Sequence, residues 1–446
     1  MLIQFKIKNF LSFNTEAVFS MAAGTSTQHK RRVLTTDKNL SILKTTLIYG
    51  PNASGKSNFV KALDFLQDLM IHLELKKGQP IQGLMPFLLD KKSQKLPSSF
   101  EIDFFINNRV LSYGVILDSN SIVEESLSEV KGDRTYNVFK RNSTVEFSKK
   151  YFKNLKDDSR LRYIAEDLLP NQLFISMANR RKLDNIDNAD ILSDCYKWFK
   201  NTLVIVSPSS RYSPLELRLK NDNDFSQKFS ELLKGFDTEI ENLHLEETTL
   251  DKVRAPEAVK QDLLLSLTTE SEKKKNEKVA LIFEAGKNER YIFINEGPNN
   301  IKIFRLVAEH KTLSGESINF ELSEESDGTR RIFDLIPMLL NIKNKTYVID
   351  EVNRSLHPNL TEQFLEKMND YLESNNSQII TTTHETTIMD SNKFRRDEIW
   401  FVEKSRKTKA STMFSLDEFK VRPDLSFNKA YLQGRFGALP CFKSVR

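Results

Sequence analysis

The chain has 446 residues, 39% of them hydrophobic, so it is long enough to bury a substantial core and to form two or three lobes. Its 66 basic and 61 acidic residues leave a net charge of +5, which permits a nucleic-acid partner without indicating one. Cys195 and Cys441 are far apart and lack metal-ligand spacing, which argues against a disulfide framework or zinc site and fits a reducing cytoplasm. No stretch approaches the ~20 apolar residues of a membrane-spanning helix and no signal peptide is evident, so we expect a cytoplasmic protein without a membrane partner.

Short basic clusters are the only local charge feature that could serve a nucleic acid. They lie at residues 30–32, 180–182, 273–275 and 395–396. No aromatic residues for base stacking are interleaved with them, so we interpret them as solvated surface patches.

The first elements predicted along the chain are two strands and a helix. Residues 2–9 alternate apolar and polar side chains, as a strand does, and Thr45–Tyr49 forms a second, apolar strand. A glycine-containing loop follows, and a helix is predicted from about residue 56 to residue 73. Strand, loop and helix in this order are the context that a phosphate-binding loop requires.

The loop itself matches the phosphate-loop pattern G-x-x-x-x-G-K-[ST] in full. Its residues are Gly50, Pro51, Asn52, Ala53, Ser54, Gly55, Lys56 and Ser57. The glycines allow backbone N–H groups to point at phosphates, and the N-terminus of the following helix adds a favourable dipole. We expect Lys56 to bind the β- and γ-phosphates and the Ser57 hydroxyl to ligate Mg²⁺. A loop that merely turns is disfavoured, because the strand and the helix both flank it as the motif demands.

The middle of the chain changes character twice. Period-two alternation at residues 100–106 and 110–117 predicts a hairpin that turns at Asn107 and Asn108. A polar, helix-rich stretch from about residue 149 to 267, broken at Pro208, Pro214 and Pro256, predicts an inserted helical lobe. Its lack of a sustained heptad repeat argues against a long coiled coil.

The last part of the chain alternates strands and helices. Strand character returns at residues 279–284, 290–294 and 301–307, and a helix is predicted from Asp327 to about residue 340. Strands at residues 346–349, 378–382 and 398–402, with a helix at 358–372, predict a mostly parallel sheet.

Two strand ends carry candidate catalytic residues. Asp350 and Glu351 end an apolar strand; after a phosphate loop, we expect Asp350 to hold Mg²⁺ and Glu351 to act as general base toward water, rather than to be a solvated strand end. His384 ends another apolar strand. Ligands of an open α/β sheet lie at the carboxyl ends of its strands, so we expect His384 to sense the γ-phosphate rather than to be a packing residue.

The order of these motifs, with residues 322–331 and 353–358 between them, resembles the ABC-type ATPase heads of RecF, of SMC proteins and of the overcoming-lysogenization-defect-like family. It resembles most closely the RloA-like stand-alone bacterial AAA-type ATPases of phage-defence loci. The similarity extends from residues 9–13 to residues 431–438. It implies an α/β P-loop NTPase head, with a mostly parallel sheet and an antiparallel β subdomain, and an inserted helical lobe. The expected divisions are 1–148 and 276–446 for the head and 149–275 for the lobe.

The resemblance also implies ATP and Mg²⁺ as cofactors and a homodimer that sandwiches ATP. Ser326 and Gly328 correspond to the signature motif that caps the γ-phosphate in the opposite protomer, although Ser-Asp-Gly-Thr-Arg replaces the usual Ser-Gly-Gly-Gln. An ordinary helix N-cap at Ser326 or Asp327 is compatible with this role. Residues 355–358 would couple the two sites. The glutamine of the Q-loop stays open among Gln79, Gln82 and Gln94.

Three functions compete. The first is an ATP-driven dimerising switch in antiviral defence that acts with a separately encoded effector such as a nuclease. The second is a RecF-like nucleic-acid clamp in DNA repair. The third, a self-contained nuclease, would need a further metal-binding domain. About sixty residues follow His384, too few for such a domain, and Asp222 and Asp224 lie in a polar segment without a preceding apolar strand. We therefore favour a function that depends on a separately encoded partner.

Overall fold

The computed structural model describes residues 1–36, 40–72, 76–153, 159–181, 183, 186–212, 215–273, 279–285, 289–297, 300–420 and 425–440. Several positions used above lie outside these residues: Lys182, Pro214, Lys274, Lys275, Cys441 and the predicted lobe boundary at 275/276. The chain forms two compact units. The first comprises Met1–Pro208, Ile342–Asn353 and Met368–Arg446, and the second comprises Ser209–Asn341 and Arg354–Lys367.

The strands of the described residues are numbered in chain order. They are β1 (Leu2–Lys8), β2 (Ala17–Ser20), β3 (Val33–Thr35), β4 (Ser41–Leu43), β5 (Thr45–Tyr49), β6 (Ser98–Ile106), β7 (Arg109–Leu117), β8 (Ile122–Lys131), β9 (Arg134–Arg141), β10 (Val145–Phe147), β11 (Leu203–Val206), β12 (Ile240–Thr248), β13 (Val279–Ala285), β14 (Glu289–Asn295), β15 (Ile301–Lys311), β16 (Ser317–Glu321), β17 (Thr346–Ile349), β18 (Gln378–Thr382), β19 (Ile399–Lys404) and β20 (Ser411–Ser415).

The α-helices are numbered in the same way. They are α1 (Lys56–Ile71), α2 (Ser159–Glu166), α3 (Phe174–Asn179), α4 (Asp190–Lys197), α5 (Leu215–Asn221), α6 (Asn223–Lys234), α7 (Glu257–Lys273), α8 (Asp327–Leu340), α9 (Pro358–Glu373) and α10 (Phe427–Leu432). A π-helical turn, Trp198–Thr202, follows α4.

The first unit is built on a six-stranded sheet in the order β11-β17-β18-β5-β19-β20. Its first five strands run parallel, and β20 pairs antiparallel with β19. Every residue of β5, β17 and β18 is buried, which explains why apolar and polar residues do not alternate along them. The carboxyl ends of these three strands meet at one edge of the sheet, and that edge carries the candidate site.

The same unit contains an antiparallel sheet in the order β10-β9-β8-β7-β6-β1-β2. Burial alternates along β6 and β7, as the period-two pattern predicts. The inward side chains of this sheet join those of α1 and of the parallel sheet in one hydrophobic core, in which Phe59 contacts both Phe5 and Phe19 through edge-on ring packing. This core fixes α1 and therefore the loop that precedes it.

The second unit contains an antiparallel sheet in the order β12-β15-β14-β13, with β16 paired to β15, and the helices α5 to α8. A buried ion-pair cluster fixes α8 within this unit. Arg290 of β14 lies 2.7 Å from Asp334 of α8 and 3.5 Å from Glu216 of α5. A buried cation needs such partners, because burial without them is strongly unfavourable.

The α/β fold class, with a mostly parallel sheet and antiparallel sheets beside it, is confirmed, and β5, β17, β18 and α8 begin and end where the sequence predicts. Segment 149–275 contains strands as well as helices: β11 pairs in parallel with β17, and β12 pairs with β15. The first unit extends to Pro208, and β13 to β16 belong to the second unit. The division into a head and an inserted lobe stays a prediction.

The helices were compared with the length and apolar character of a membrane span. Within the described ranges, none combines the length and apolar character needed to cross a membrane.

Candidate active site

The loop between β5 and α1 adopts the backbone conformations that a phosphate loop needs. Gly50 has φ 154°, Ala53 has φ 60° and Gly55 has φ 117°. A β-carbon added at Gly50 would overlap the carbonyl oxygen of Val402 and lie 2.8 Å from Oγ of Ser54. Only glycine therefore fits the first position, for steric as well as conformational reasons.

Two serines outside the motif, Ser12 and Ser411, lie against the phosphate loop. A β-carbon at Gly55 would lie 2.7 Å from Oγ of Ser12 and overlap the hydroxyl of Ser411. The Ser411 hydroxyl donates to the carbonyl oxygen of Ser54. The backbone nitrogen of Ser411 donates to the carbonyl oxygen of Ser12 at 2.7 Å. Asn58 donates to Oγ of Ser12 at 2.8 Å. These contacts join distant segments, so no local signal in the sequence identifies Ser12 or Ser411 as part of the site.

Lys56 is buried at the start of α1, and its ammonium group lies over the loop. Its Nζ donates hydrogen bonds to the carbonyl oxygens of Gly50 at 2.8 Å and Pro51 at 3.1 Å. Burial lowers the pKa of Lys56 to about 8, and the nearby carboxylates of Asp350 and Glu351 oppose this shift. The cation thus lies within the electrostatic reach of the acidic strand end.

The acidic strand end follows β17 directly. Asp350 is 5% exposed; its backbone nitrogen donates to Val206 of β11 at 2.9 Å, and its Oδ1 accepts from the hydroxyl of Thr382 at 2.6 Å. Glu351 has a left-handed backbone with φ 51°, which is uncommon for a residue with a β-carbon. Its backbone nitrogen donates to the Thr382 hydroxyl at 2.8 Å.

His384 lies two residues beyond β18, beside Glu351. Its Nε2 is 4.0 Å from Oε1 of Glu351. Burial, and then the positive charge of Lys56, lower the pKa of His384, while Glu351 and Asp350 oppose the change. The imidazole is therefore neutral at neutral pH, a form that can donate or accept a hydrogen bond.

Asn353 connects the loop after β17 to the histidine. Its Oδ1 accepts a hydrogen bond of 3.1 Å from the Thr383 hydroxyl and a longer one of 3.5 Å from the backbone nitrogen of His384. Neither Asn353 nor Thr382 is among the site residues that the sequence predicts. A run of three threonines at the end of a fully buried strand was the available signal, because buried hydroxyl groups need partners.

The structure thus brings together the phosphate loop, Asp350, Glu351 and His384, because β5, β18 and β17 are neighbours in that order. The donor set suits a magnesium nucleotide. A helix N-terminus and a lysine favour phosphates, and the Ser57 hydroxyl and the Asp350 carboxylate offer the hard oxygen ligands that Mg²⁺ prefers. The Glu351 carboxylate can accept a proton.

Ser326 and Gly328 lie in the second unit, at the start of α8. The exposed Ser326 caps the helix, and its Oγ accepts a hydrogen bond of 3.0 Å from the backbone nitrogen of Thr329. A β-carbon at Gly328 would lie 2.6 Å from the carbonyl oxygen of Ser355, which has φ 60°. Ser326 therefore acts as the N-cap of α8. Gly328 also has a steric reason to be glycine.

The remaining candidates make local contacts. Gln79, Gln82 and Gln94 are all exposed; Gln79 accepts from the backbone of Lys76 and Gln94 donates to Leu88. Asp222 caps α6 by accepting from the backbone of Phe225 at 3.0 Å, and Asp224 pairs with Lys228 at 2.7 Å. Both aspartates thus serve α6.

Comparison with known proteins gives a family and distant structural relatives. No curated protein matches. Two of the similar solved structures illustrate the likeness over most of both chains. The SMC head domain from Thermotoga maritima has 13% identity and a TM-score of 0.37 and covers 94% of this chain and 99% of its own. The Smc head domain with an extended coiled coil bound to the C-terminal domain of ScpA, from Pyrococcus furiosus, has 14% identity and a TM-score of 0.41 and covers 97% and 98%.

One family model matches residues 45–390, which is more than half of the chain and includes the phosphate loop, the acidic strand end and His384. The chain belongs to the family described as "AAA domain, putative AbiEii toxin, Type IV TA system".

Proposed function

We propose that this chain binds ATP with Mg²⁺ and hydrolyses it to ADP and phosphate. The observation that carries the proposal is the meeting of the phosphate loop, the Asp350–Glu351 pair and His384 at one edge of the parallel sheet. Each group has a different chemical capacity, and together they match what phosphoryl transfer to water requires: positioning, charge neutralisation and a base.

The roles follow from the chemistry of the side chains. Lys56 and the backbone N–H groups of the loop, which Pro51 lacks, would bind the phosphates. Ser57 and Asp350 would hold Mg²⁺, which when bound neutralises phosphate charge. Glu351 accepts a proton from the attacking water. Neutral His384, 4.0 Å from Glu351, orients the γ-phosphate through a hydrogen bond.

We further propose that two copies of the chain form an ATP sandwich, in which Ser326 and Gly328 of one copy cap the γ-phosphate bound by the other. Two features support this role. Ser326 is exposed, and it is the N-cap of α8, a helix of 14 residues whose N-terminus favours an anion.

The proposed biological role is a cytoplasmic, nucleotide-driven switch in bacterial antiphage defence that acts with a separately encoded effector such as a nuclease. The family description, which names a toxin of a toxin–antitoxin system, and the resemblance to phage-defence ATPases support it. A DNA-binding role in repair is the competing function. Purification of the natively expressed chain, followed by identification of bound macromolecules, separates the two: a protein effector supports the switch, and DNA alone supports the repair role.

The enzymatic proposal is tested by phosphate release from purified protein with ATP and Mg²⁺. We expect release by the wild type and its loss in Lys56→Ala. Release at the wild-type rate by Lys56→Ala would contradict the site.

A further inference from the structure

Thr382, the last residue of β18, bonds to three successive residues of the turn after β17. Its hydroxyl oxygen lies 2.6 Å from Oδ1 of Asp350 and 2.8 Å from the backbone nitrogen of Glu351. Its carbonyl oxygen accepts a hydrogen bond of 3.1 Å from the backbone nitrogen of Val352. Only 1% of Thr382 is exposed. One residue outside the recognised motifs therefore ties the whole acidic turn to the neighbouring strand.

The direction of the two hydroxyl bonds is fixed by chemistry. A backbone N–H can only donate, so the hydroxyl oxygen accepts from Glu351, and its single hydrogen is then directed at Asp350. The bond to Asp350 is buried and the bond from Glu351 is partly buried. A carboxylate acceptor makes the bond to Asp350 one of the stronger kinds. The Asp350 carboxylate is consequently held in one orientation by Thr382.

The same hydroxyl stabilises the conformation of Glu351. The left-handed backbone at Glu351, with φ 51°, is unfavourable for a residue with a β-carbon and persists only where neighbouring groups enforce it. Thr382 binds the amide of Glu351 with its side chain and the amide of the next residue, Val352, with its carbonyl oxygen. It therefore holds the turn from which the Glu351 side chain extends toward His384.

We propose that Thr382 is a positioning residue for ATP hydrolysis: its hydroxyl orients the Asp350 carboxylate for Mg²⁺ and holds Glu351 in the conformation in which it acts as base. The inference rests on the function proposed above. Thr382 acts through Asp350 and Glu351. Because His384 follows on the same strand end, β18 fixes the relative placement of all three side chains.

The test compares three variants. Thr382→Val removes the hydroxyl and keeps the shape, and Thr382→Ser keeps the hydroxyl. Thr381→Val is the matched control, since Thr381 is equally buried on the same strand and its hydroxyl donates to backbone carbonyl oxygens, those of Ile349 at 3.0 Å and Thr382 at 3.3 Å, instead of to a carboxylate. For each protein, kcat and KM are measured, and ATP affinity is measured by calorimetry with EDTA and with Mg²⁺.

We expect Thr382→Val to lower kcat by about 10- to 100-fold, the effect of losing a hydrogen bond to a charged group. Its ATP affinity in EDTA should stay within about twofold of wild type, whereas the gain in affinity that Mg²⁺ produces should shrink by about tenfold. Thr382→Ser should restore both properties, and Thr381→Val should leave both at the wild-type level.

Two results would overturn the inference. One is a wild-type kcat and a wild-type Mg²⁺ gain in Thr382→Val while Glu351→Gln is inactive. The other is equal losses in Thr382→Val and Thr381→Val, which would mark a general effect of removing a buried hydroxyl. A wild type that hydrolyses no ATP would instead contradict the proposed function, and the Mg²⁺-dependent affinity would then still decide the role of Thr382.

Discussion

Nζ of Lys56 donates a hydrogen bond of 2.8 Å to the carbonyl oxygen of Gly50, at the opposite end of the same loop. The ammonium group is therefore held over the loop interior. When phosphates bind there, it would exchange its carbonyl acceptors for charged phosphate oxygens. Such an exchange favours binding, because hydrogen bonds between ionised groups are the stronger kind.

The first prediction concerns this lysine. Lys56→Ala should weaken ATP binding by at least about 10- to 100-fold, since the charge that meets the phosphates is lost. Calorimetric titration with ATP and Mg²⁺ measures the effect. Lys61→Ala, which removes an exposed lysine of the same helix, is the control and should bind normally. Undiminished affinity in Lys56→Ala would contradict the assignment of the loop.

The second prediction is a pH dependence of ATP affinity. Burial places the pKa of Lys56 at about 8. The protonated form binds phosphate, so affinity should be nearly constant below pH 8 and should fall as pH rises through 8, by up to tenfold per pH unit if one proton is involved. Affinities measured between pH 7.5 and 9.5 test this. The arginine of Lys56→Arg stays charged throughout this range, so the ATP affinity that the variant retains should not vary with pH. The same fall of affinity in Lys56→Arg would show that a group other than Lys56 titrates.

The third prediction separates the two roles of Ser326. Aspartate is as good a helix N-cap as serine, so Ser326→Asp should preserve α8 while placing a negative charge at the position that would meet phosphate in a second copy. We expect wild-type thermal stability and normal ATP binding, but hydrolysis and ATP-driven dimerisation lost. Normal hydrolysis and dimerisation would show that Ser326 only caps the helix.

A mixing experiment extends the third prediction. Inactive Lys56→Ala and Ser326→Arg proteins, combined, can form a heterodimer in which one site has both Lys56 and Ser326 intact. We expect partial recovery of ATPase activity in the mixture. Complete lack of recovery, with both proteins folded and associated, would mean that activity needs both sites or that Ser326 makes no contribution across the interface.

Much of this architecture is encoded locally and could be predicted. The fully buried strands β5, β17 and β18 appear in the sequence as short segments without polar alternation, and each is followed closely by a chemically distinctive residue or motif. The helix cap at Ser326 marks the start of α8. The order of the phosphate loop, the acidic pair and the histidine then places them at one sheet edge, because parallel strands share the side on which their carboxyl ends lie.

Long-range pairing accounts for what could not be predicted. Strand β11 is only four residues long and lies in a helix-rich segment, so its pairing with β17 has no local signal. The hydroxyl of Thr382 and the serines behind the phosphate loop act on residues far away in the sequence. Their importance depends on distances of 2.6 to 2.8 Å that only the folded chain defines.

The fourth prediction tests the central claim, that Glu351 is the base of an ATPase. In Glu351→Gln the amide keeps the size of the side chain but does not take up a proton, so binding should persist while hydrolysis slows by roughly 100- to 10,000-fold. Glu385→Gln is the control, because the Glu385 carboxylate accepts hydrogen bonds from the backbone nitrogen and the hydroxyl of Thr387 and has no role in the proposed chemistry. It should hydrolyse ATP at the wild-type rate.

The most direct measurement is single-turnover hydrolysis of radiolabelled ATP by wild type, Glu351→Gln and Glu385→Gln, together with the mass of the ATP-bound species. The account predicts rapid conversion to ADP by wild type and Glu385→Gln, and intact ATP in an accumulated dimer of Glu351→Gln. Conversion by Glu351→Gln at the wild-type rate would contradict it.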